Sequence, residues 1–176
     1  MEFKMQRTKV YIAADWTGDS NAVSILRAWN DSEAWSLSFP DAHEMTQAKD
    51  DSLNCSIKKS LSLRLDASKT FVLIVGNKTK DLAAGGCQYC RSYNGWRGFC
   101  ARGFTVDYRS YLQFECEKAL RDRLKIVVLY NGVNVDRSKC PDTLSRHGVH
   151  VAMMYKCQLD GKYYWNYYAI KDAIEN

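Results

Sequence analysis

Phe71-Val-Leu-Ile-Val75 is an unbroken apolar run that stops at Gly76. A strand with one wet face alternates apolar and polar residues, so a continuous run needs cover on both sides and belongs at the centre of a sheet. Lys125-Ile-Val-Val-Leu-Tyr130 repeats the pattern. Between them, Leu112, Cys116, Ala119 and Leu120 fall on one stripe of a helix spanning 111–120, with Glu115 at its border and Glu117 farther round on the wet side. Strand, helix and strand in this order define an α/β chain.

The flanking segments extend the alternation. Val10–Ala14 reads as a first strand, and Val23, Ile25, Leu26 and Trp29 share one face of a helix capped by Asp19 or Ser20. Trp35, Leu37 and Phe39 alternate with serines and predict a second strand, ended by Pro40. Leu53, Ile57, Leu61 and Leu65 recur every fourth residue, a helix with Ser52 as its candidate cap. His150–Tyr155 predicts a fifth strand and Tyr163–Ile174 a closing aromatic helix. The expected fold class is therefore α/β: a three-layer sandwich around a parallel sheet of about five strands. No repeat or linker divides residues 1–176, so one domain is expected, with a long Gly- and Cys-rich insertion at about 80–108. It follows the carboxyl end of the central strand, where ligands of open α/β sheets bind.

At 46% hydrophobic and 26% charged residues, the composition is that of a globular protein. No apolar run approaches the ~18 residues of a membrane span, and Met1–Lys9 lacks the hydrophobic segment of a signal peptide. The seven cysteines are then expected as free thiols in a reducing cytoplasm. The net charge of +5 is scattered, with no basic block to suggest nucleic acid as a partner.

Glu115 is the candidate catalytic group. A helix carboxylate is more often paired with a neighbouring base, here Arg109 or Lys118, than reactive. Its position argues the other way: a helix that follows the central strand across a long loop begins at the carboxyl rim of the sheet.

Lys9-Val-Tyr-Ile-Ala-Ala-Asp-Trp16, Ile25-Leu-Arg-Ala-Trp29, Leu65-Asp-Ala-Ser-Lys-Thr-Phe-Val-Leu-Ile-Val-Gly-Asn-Lys-Thr79, Phe114-Glu115 and Ile126–Leu129 stand in an order that resembles the TIR-like domain of the Thoeris antiphage system. The resemblance extends over about residues 8–131. It implies a flavodoxin-like sheet and cleavage of NAD, as substrate, into an ADP-ribose-derived messenger. It also implies a product-sensing effector protein, and a phage-derived trigger or homo-oligomer that switches the activity on. By the same resemblance Glu115 matches the catalytic glutamate, and Ala13, Ala14, Asp15 and Trp16 form the opposite wall. Phe39, Pro40 and Asp41, with His43, stand where such domains carry a mobile loop, with an ordinary polar turn as the competing reading. A single carboxylate suits the chemistry, because it can face the positive charge of an oxocarbenium-like state without having to act as a strong acid.

No metal is expected. Cys87-x-x-Cys90 with Cys100 supplies three of four zinc ligands, but no second close pair is present, and reduced thiols are the simpler reading. The fourth ligand would have to come from Cys116, Cys140 or a histidine, with Cys55, Cys140 and Cys157 read as ordinary packed or surface thiols. Two other classes compete with the enzyme. A noncatalytic TIR-like or flavodoxin-like module would bury Glu115 in an ion pair, away from any pocket with Asp15 and Trp16. A phospho-receiver needs an aspartate at the end of the central strand, where Gly76-Asn77 stands.

Overall fold

The uniformly apolar segments become the two inner strands of a parallel sheet. The computed structural model describes residues 6–37, 39–42 and 53–176. Its elements are β1 (Lys9–Ala13), α1 (Ser20–Asp31), α2 (Asn54–Asp66), β2 (Ser68–Val75), β3 (Tyr93–Asn94), β4 (Phe99–Cys100), α3 (Tyr111–Arg121), β5 (Lys125–Tyr130), β6 (Val149–Ala152), β7 (Met154–Lys156), β8 (Tyr163–Trp165) and α4 (Tyr167–Glu175). The central sheet has four strands in the order β1-β2-β5-β6, all parallel. Val72 lies between Ile12 and Val127 in register.

Alternate residues of β1 and β2 feed two cores. Val10, Ile12, Val72 and Ile74 pack with Leu26 and Trp29 of α1 and Ile170 and Ile174 of α4. Tyr11, Ala13, Phe71, Leu73 and Val75 pack with Leu65 of α2 and Leu112, Cys116 and Ala119 of α3. The result is the expected three-layer, flavodoxin-like sandwich, with helices on both faces.

The expected second strand is replaced by a single parallel bridge between Val10 and Asp41, with the Val10 N–H donating to the Pro40 carbonyl at 2.8 Å. Two features take the segment out of a ladder. Ser36 turns at φ 34 while its N–H bonds Ser32 and that of Leu37 bonds Trp29, which prolongs the end of α1. The Asn30 amide then takes both backbone groups of Phe39, accepting its N–H at 2.7 Å and donating to its carbonyl at 3.0 Å. Sequence alternation registered the burial of Leu37 and Phe39 but not the side chain that substitutes for a neighbouring strand.

Two further expectations are corrected at the C-terminal end. The strand expected over 150–155 divides at buried Met153 into β6 and β7. The first residues of the expected closing helix form β8, which pairs antiparallel with β7, and α4 begins at Tyr167. The Met153 N–H bonds the Tyr130 carbonyl while its own carbonyl accepts from Asn166, so the chain leaves the sheet at that residue. Tyr163, Tyr164 and Tyr168 are exposed as a result; Trp165 and Tyr167 pack. Asp19 does stand at the cap position of α1, but its carboxylate makes no cap bond and accepts from Asn131 at 2.8 Å. Ser52 and His43 lie outside the described residues.

Candidate functional site

The chain after β1 leads to α1 on one face of the sheet, whereas the chain after β2 leads to α3 on the other. The carboxyl ends of β1 and β2 therefore flank a crevice of the kind that binds ligands in doubly wound folds. A cavity of about 320 Å³ opens there, lined by Ala14, Asp15, Trp16, Thr17, Ile57, Leu61, Leu82, Ala84, Tyr111, Leu112 and Glu115. Its floor is apolar, and Asp15 and Glu115 are its two carboxylates.

Glu115 reaches this cavity because α3 packs Leu112, Cys116 and Ala119 on the sheet. The period of the helix then turns residue 115 toward the end of β1. Ser110 caps α3 and accepts the Gln113 N–H at 3.1 Å, which fixes where the helix starts. Glu115 is 7% exposed, and its Oε1 accepts a hydrogen bond from the Tyr11 hydroxyl. Burial pushes its carboxyl up to about 7, with the Tyr11 hydrogen bond and the charge of Arg64 pulling the other way. Among the described residues it makes no ion pair. Arg109 is engaged by Asp107 and Glu117, and Lys118 by Asp66 and Asp122. The bases available on sequence grounds are thus occupied elsewhere, and Glu115 is left facing the pocket.

Asp15 closes a turn, accepting the N–H groups of Thr17 and Gly18 on Oδ1 at 3.2 and 3.0 Å. Trp16 is 41% exposed, with the Arg27 guanidinium 5.0 Å from its ring centre. Ala13 is buried in the core beneath the cavity. Phe39 packs in the core on the opposite face of the sheet, and Asp41 is buried at the edge of β1 beside Val10. Neither Phe39 nor Asp41 lines the cavity. The fold thus gathers Ala14, Asp15, Trp16 and Glu115 and leaves Ala13, Phe39 and Asp41 outside.

Tyr11 and Tyr111 were not anticipated. Alternation along β1 puts Tyr11 on the same face as Ala13 and α3, so tracking sheet faces through the sequence could have found it. Burial and the neighbouring Glu115 raise the Tyr11 phenol well above its ordinary value, so it stays a donor. Tyr111 has no such sequence signal, because its place depends on the insertion. Its hydroxyl donates to Asn54 Oδ1 at 3.0 Å, and its N–H bonds the Ala84 carbonyl at 2.8 Å. Gly85, at φ +106, permits this contact: a Cβ there would lie 2.5 Å from the Tyr111 ring and 2.7 Å from its backbone nitrogen. Gly85→Ala should therefore cost about 1–3 kcal/mol in urea unfolding, from the forbidden backbone conformation alone.

The fold and this crevice define an α/β sandwich of flavodoxin-like form with two carboxylates, Asp15 and buried Glu115, at its switch-point pocket. Residues 11–84, a little under half of the chain, match the family model of the Thoeris protein ThsB, TIR-like domain. That stretch runs from Tyr11 through the Ala14–Thr17 turn to Ala84, and the resemblance read from the sequence is borne out across it. No curated protein matches the chain at a significant level.

Proposed function

We propose that this protein is a TIR-like enzyme that cleaves the nicotinamide–ribose bond of NAD and makes an ADP-ribose-derived signal in antiphage defence. The observation that carries the reading is the buried Glu115 carboxyl, held by the Tyr11 hydroxyl and in no ion pair among the described residues, at the cavity shared with Asp15 and Trp16. A volume of about 320 Å³ is at the small end for ligand sites, which suits the nicotinamide riboside half of NAD.

In the reaction, the bond between ribose C1′ and the nicotinamide nitrogen breaks. The electron pair leaves with neutral nicotinamide, and positive charge develops on C1′ and the ring oxygen of the ribose. Ionised Glu115 opposes that charge in a site where little water screens it. A new bond from C1′ to water oxygen then gives ADP-ribose and a proton; attack by a nucleophile within the same molecule gives a cyclic product. Trp16 offers a flat surface to a heterocycle. Bound NAD carries a pyridinium charge that favours the ionised form of Glu115, so the carboxyl titrates lower in the complex than in the free protein.

The test is to incubate the purified protein with NAD and separate nicotinamide and ADP-ribose products by chromatography. Release is expected, with kcat/KM rising to a plateau above about pH 7, the titration of Glu115 in the free protein. No release at any pH, at high protein concentration and with phage-infected-cell extract as trigger, would turn the reading to a noncatalytic module.

A further inference from the structure

The insertion between β2 and α3 holds together without a hydrophobic core of its own. From Ala83 to Ser110 the only buried apolar side chain is Cys87, while Tyr89, Trp96, Phe99, Phe104 and Tyr108 are exposed. Yet this segment forms a tight turn at Cys87–Tyr89 and a hairpin, β3–β4. Small units that lack a core are stabilised by disulfides or by a structural metal.

A small cavity of about 10 Å³ lies between the insertion and α2, lined by Cys55, Cys87, Cys90, Cys100, Tyr93, Phe104 and Thr105. Four cysteines from three separate segments line this one cavity: Cys55 from α2, the Cys87-x-x-Cys90 turn and Cys100 from β4. Sequence spacing supplied three of them and looked for the fourth in Cys116, Cys140 or a histidine. Cys116 and Cys140 are instead packed in the sheet core, and Cys55 completes the set.

We propose that Cys55, Cys87, Cys90 and Cys100 form a tetrathiolate site for a zinc ion, which staples the insertion to α2. Zinc takes four cysteine sulfurs in a tetrahedron at about 2.3 Å, and Cys-x-x-Cys plus distant cysteines is a usual spacing for it. The Asp107 N–H already donates to Cys87 Sγ at 3.2 Å, the kind of bond that supports a metal-bound thiolate. As the side chains stand, no three His, Cys, Asp or Glu groups among the described residues are gathered closely enough to hold a metal. The thiols ring the cavity without meeting at its centre. A staggered jump about χ1 carries a cysteine sulfur by roughly 3 Å, so the proposed site requires these side chains to turn inward before they can share a metal. All seven cysteines of the chain are unbridged, which leaves the four available. The site lies behind the pocket rim: the Asn54 side chain, one residue from Cys55, holds both Gly86 and Tyr111. It does not depend on the NAD reading.

The protein should be purified with zinc in the medium, desalted, and assayed for bound metal; the apoprotein should be titrated with Co²⁺. About one zinc per chain is expected, together with the sulfur-to-cobalt charge-transfer and intense visible bands of tetrahedral thiolate coordination. Cys55→Ser and Cys100→Ser should lose the metal, Cys157→Ser should keep it, and Cys55→His should keep it with altered cobalt bands. The His variant and the parent spectrum do not depend on whether the Ser variants fold. A metal-free parent without cobalt–thiolate bands overturns the site, as does a reducible disulfide within the four. Full zinc in Cys55→Ser, with unchanged cobalt bands, overturns the role of Cys55.

Discussion

Replacing Glu115 with Gln should slow nicotinamide release by about a hundred- to a thousandfold or more, the usual effect of removing one preorganised electrostatic contact to a transition state. The same substitution should make the protein more stable at alkaline pH. Glu115 titrates at about 7 in the fold against an ordinary value of 4.5, chiefly because burial disfavours its charge. Between those two pH values the unfolded chain has released the proton and the native chain still holds it. The contribution of Glu115 to stability therefore falls as pH rises through that window and stays reduced above it. The full gap is worth about 3 kcal/mol. Gln keeps a carbonyl for the Tyr11 hydroxyl and carries no charge, so it escapes the penalty. The two proteins should melt together near pH 4.5, and the variant should melt roughly 6–12 °C higher at pH 8 as an upper bound. Paired melting curves and NAD assays measure both effects. A variant no more stable than the parent at pH 8 would remove the argument that burial of the Glu115 charge costs the fold stability.

Lys58→Ala should cost about 3–5 kcal/mol, the usual consequence of breaking a buried charged contact. That is a large part of the 5–15 kcal/mol that stabilises an ordinary domain. Lys58 is 5% exposed on α2. Its Nζ donates to the carbonyls of Asp107 and Arg109 at 3.2 and 2.6 Å and lies 3.3 Å from the Asp107 carboxylate. Truncation would take this donor from the Arg109 carbonyl and remove the buried cation from the point where the insertion returns to α3, leaving the Asp107 carbonyl to the Cys87 N–H and its carboxylate to Arg109. Arg109, bound to Asp107 and Glu117, ties the same corner to the helix and holds the Asp107 carboxyl down at about 2. Urea unfolding gives the loss, and Lys58→Met, which keeps the aliphatic stem, separates packing from charge. A loss under about 1 kcal/mol in both variants would show that the corner is held by Arg109 instead.

The inner strands and α3 were legible because burial on two faces and the helical period leave a direct trace in the order of residues. Glu115 could be singled out for the same reason. The segment at 35–39 misled because its alternation records burial without naming the partner, and Asn30 takes the part of a strand. Of the helix expected over 163–174, Tyr167 onward forms α4, whereas Tyr163–Trp165 forms β8, because Met153 leaving the sheet gives it a partner in β7.

By itself the sequence determined a parallel α/β sheet, the central place of 71–75 and 125–130, and a carboxylate at the border of the stripe on α3. Those are local properties, written at periods of two and 3.6 residues. Only the tertiary structure decided that Tyr11 donates to Glu115, that Arg109 and Lys118 pair elsewhere, and that Phe39 belongs to the far core. It alone brought Cys55 to Cys87, Cys90 and Cys100. Each of these depends on segments distant in the chain meeting at one place, and such meetings are set by how helices pack across a sheet, for which no single stretch of residues carries a period.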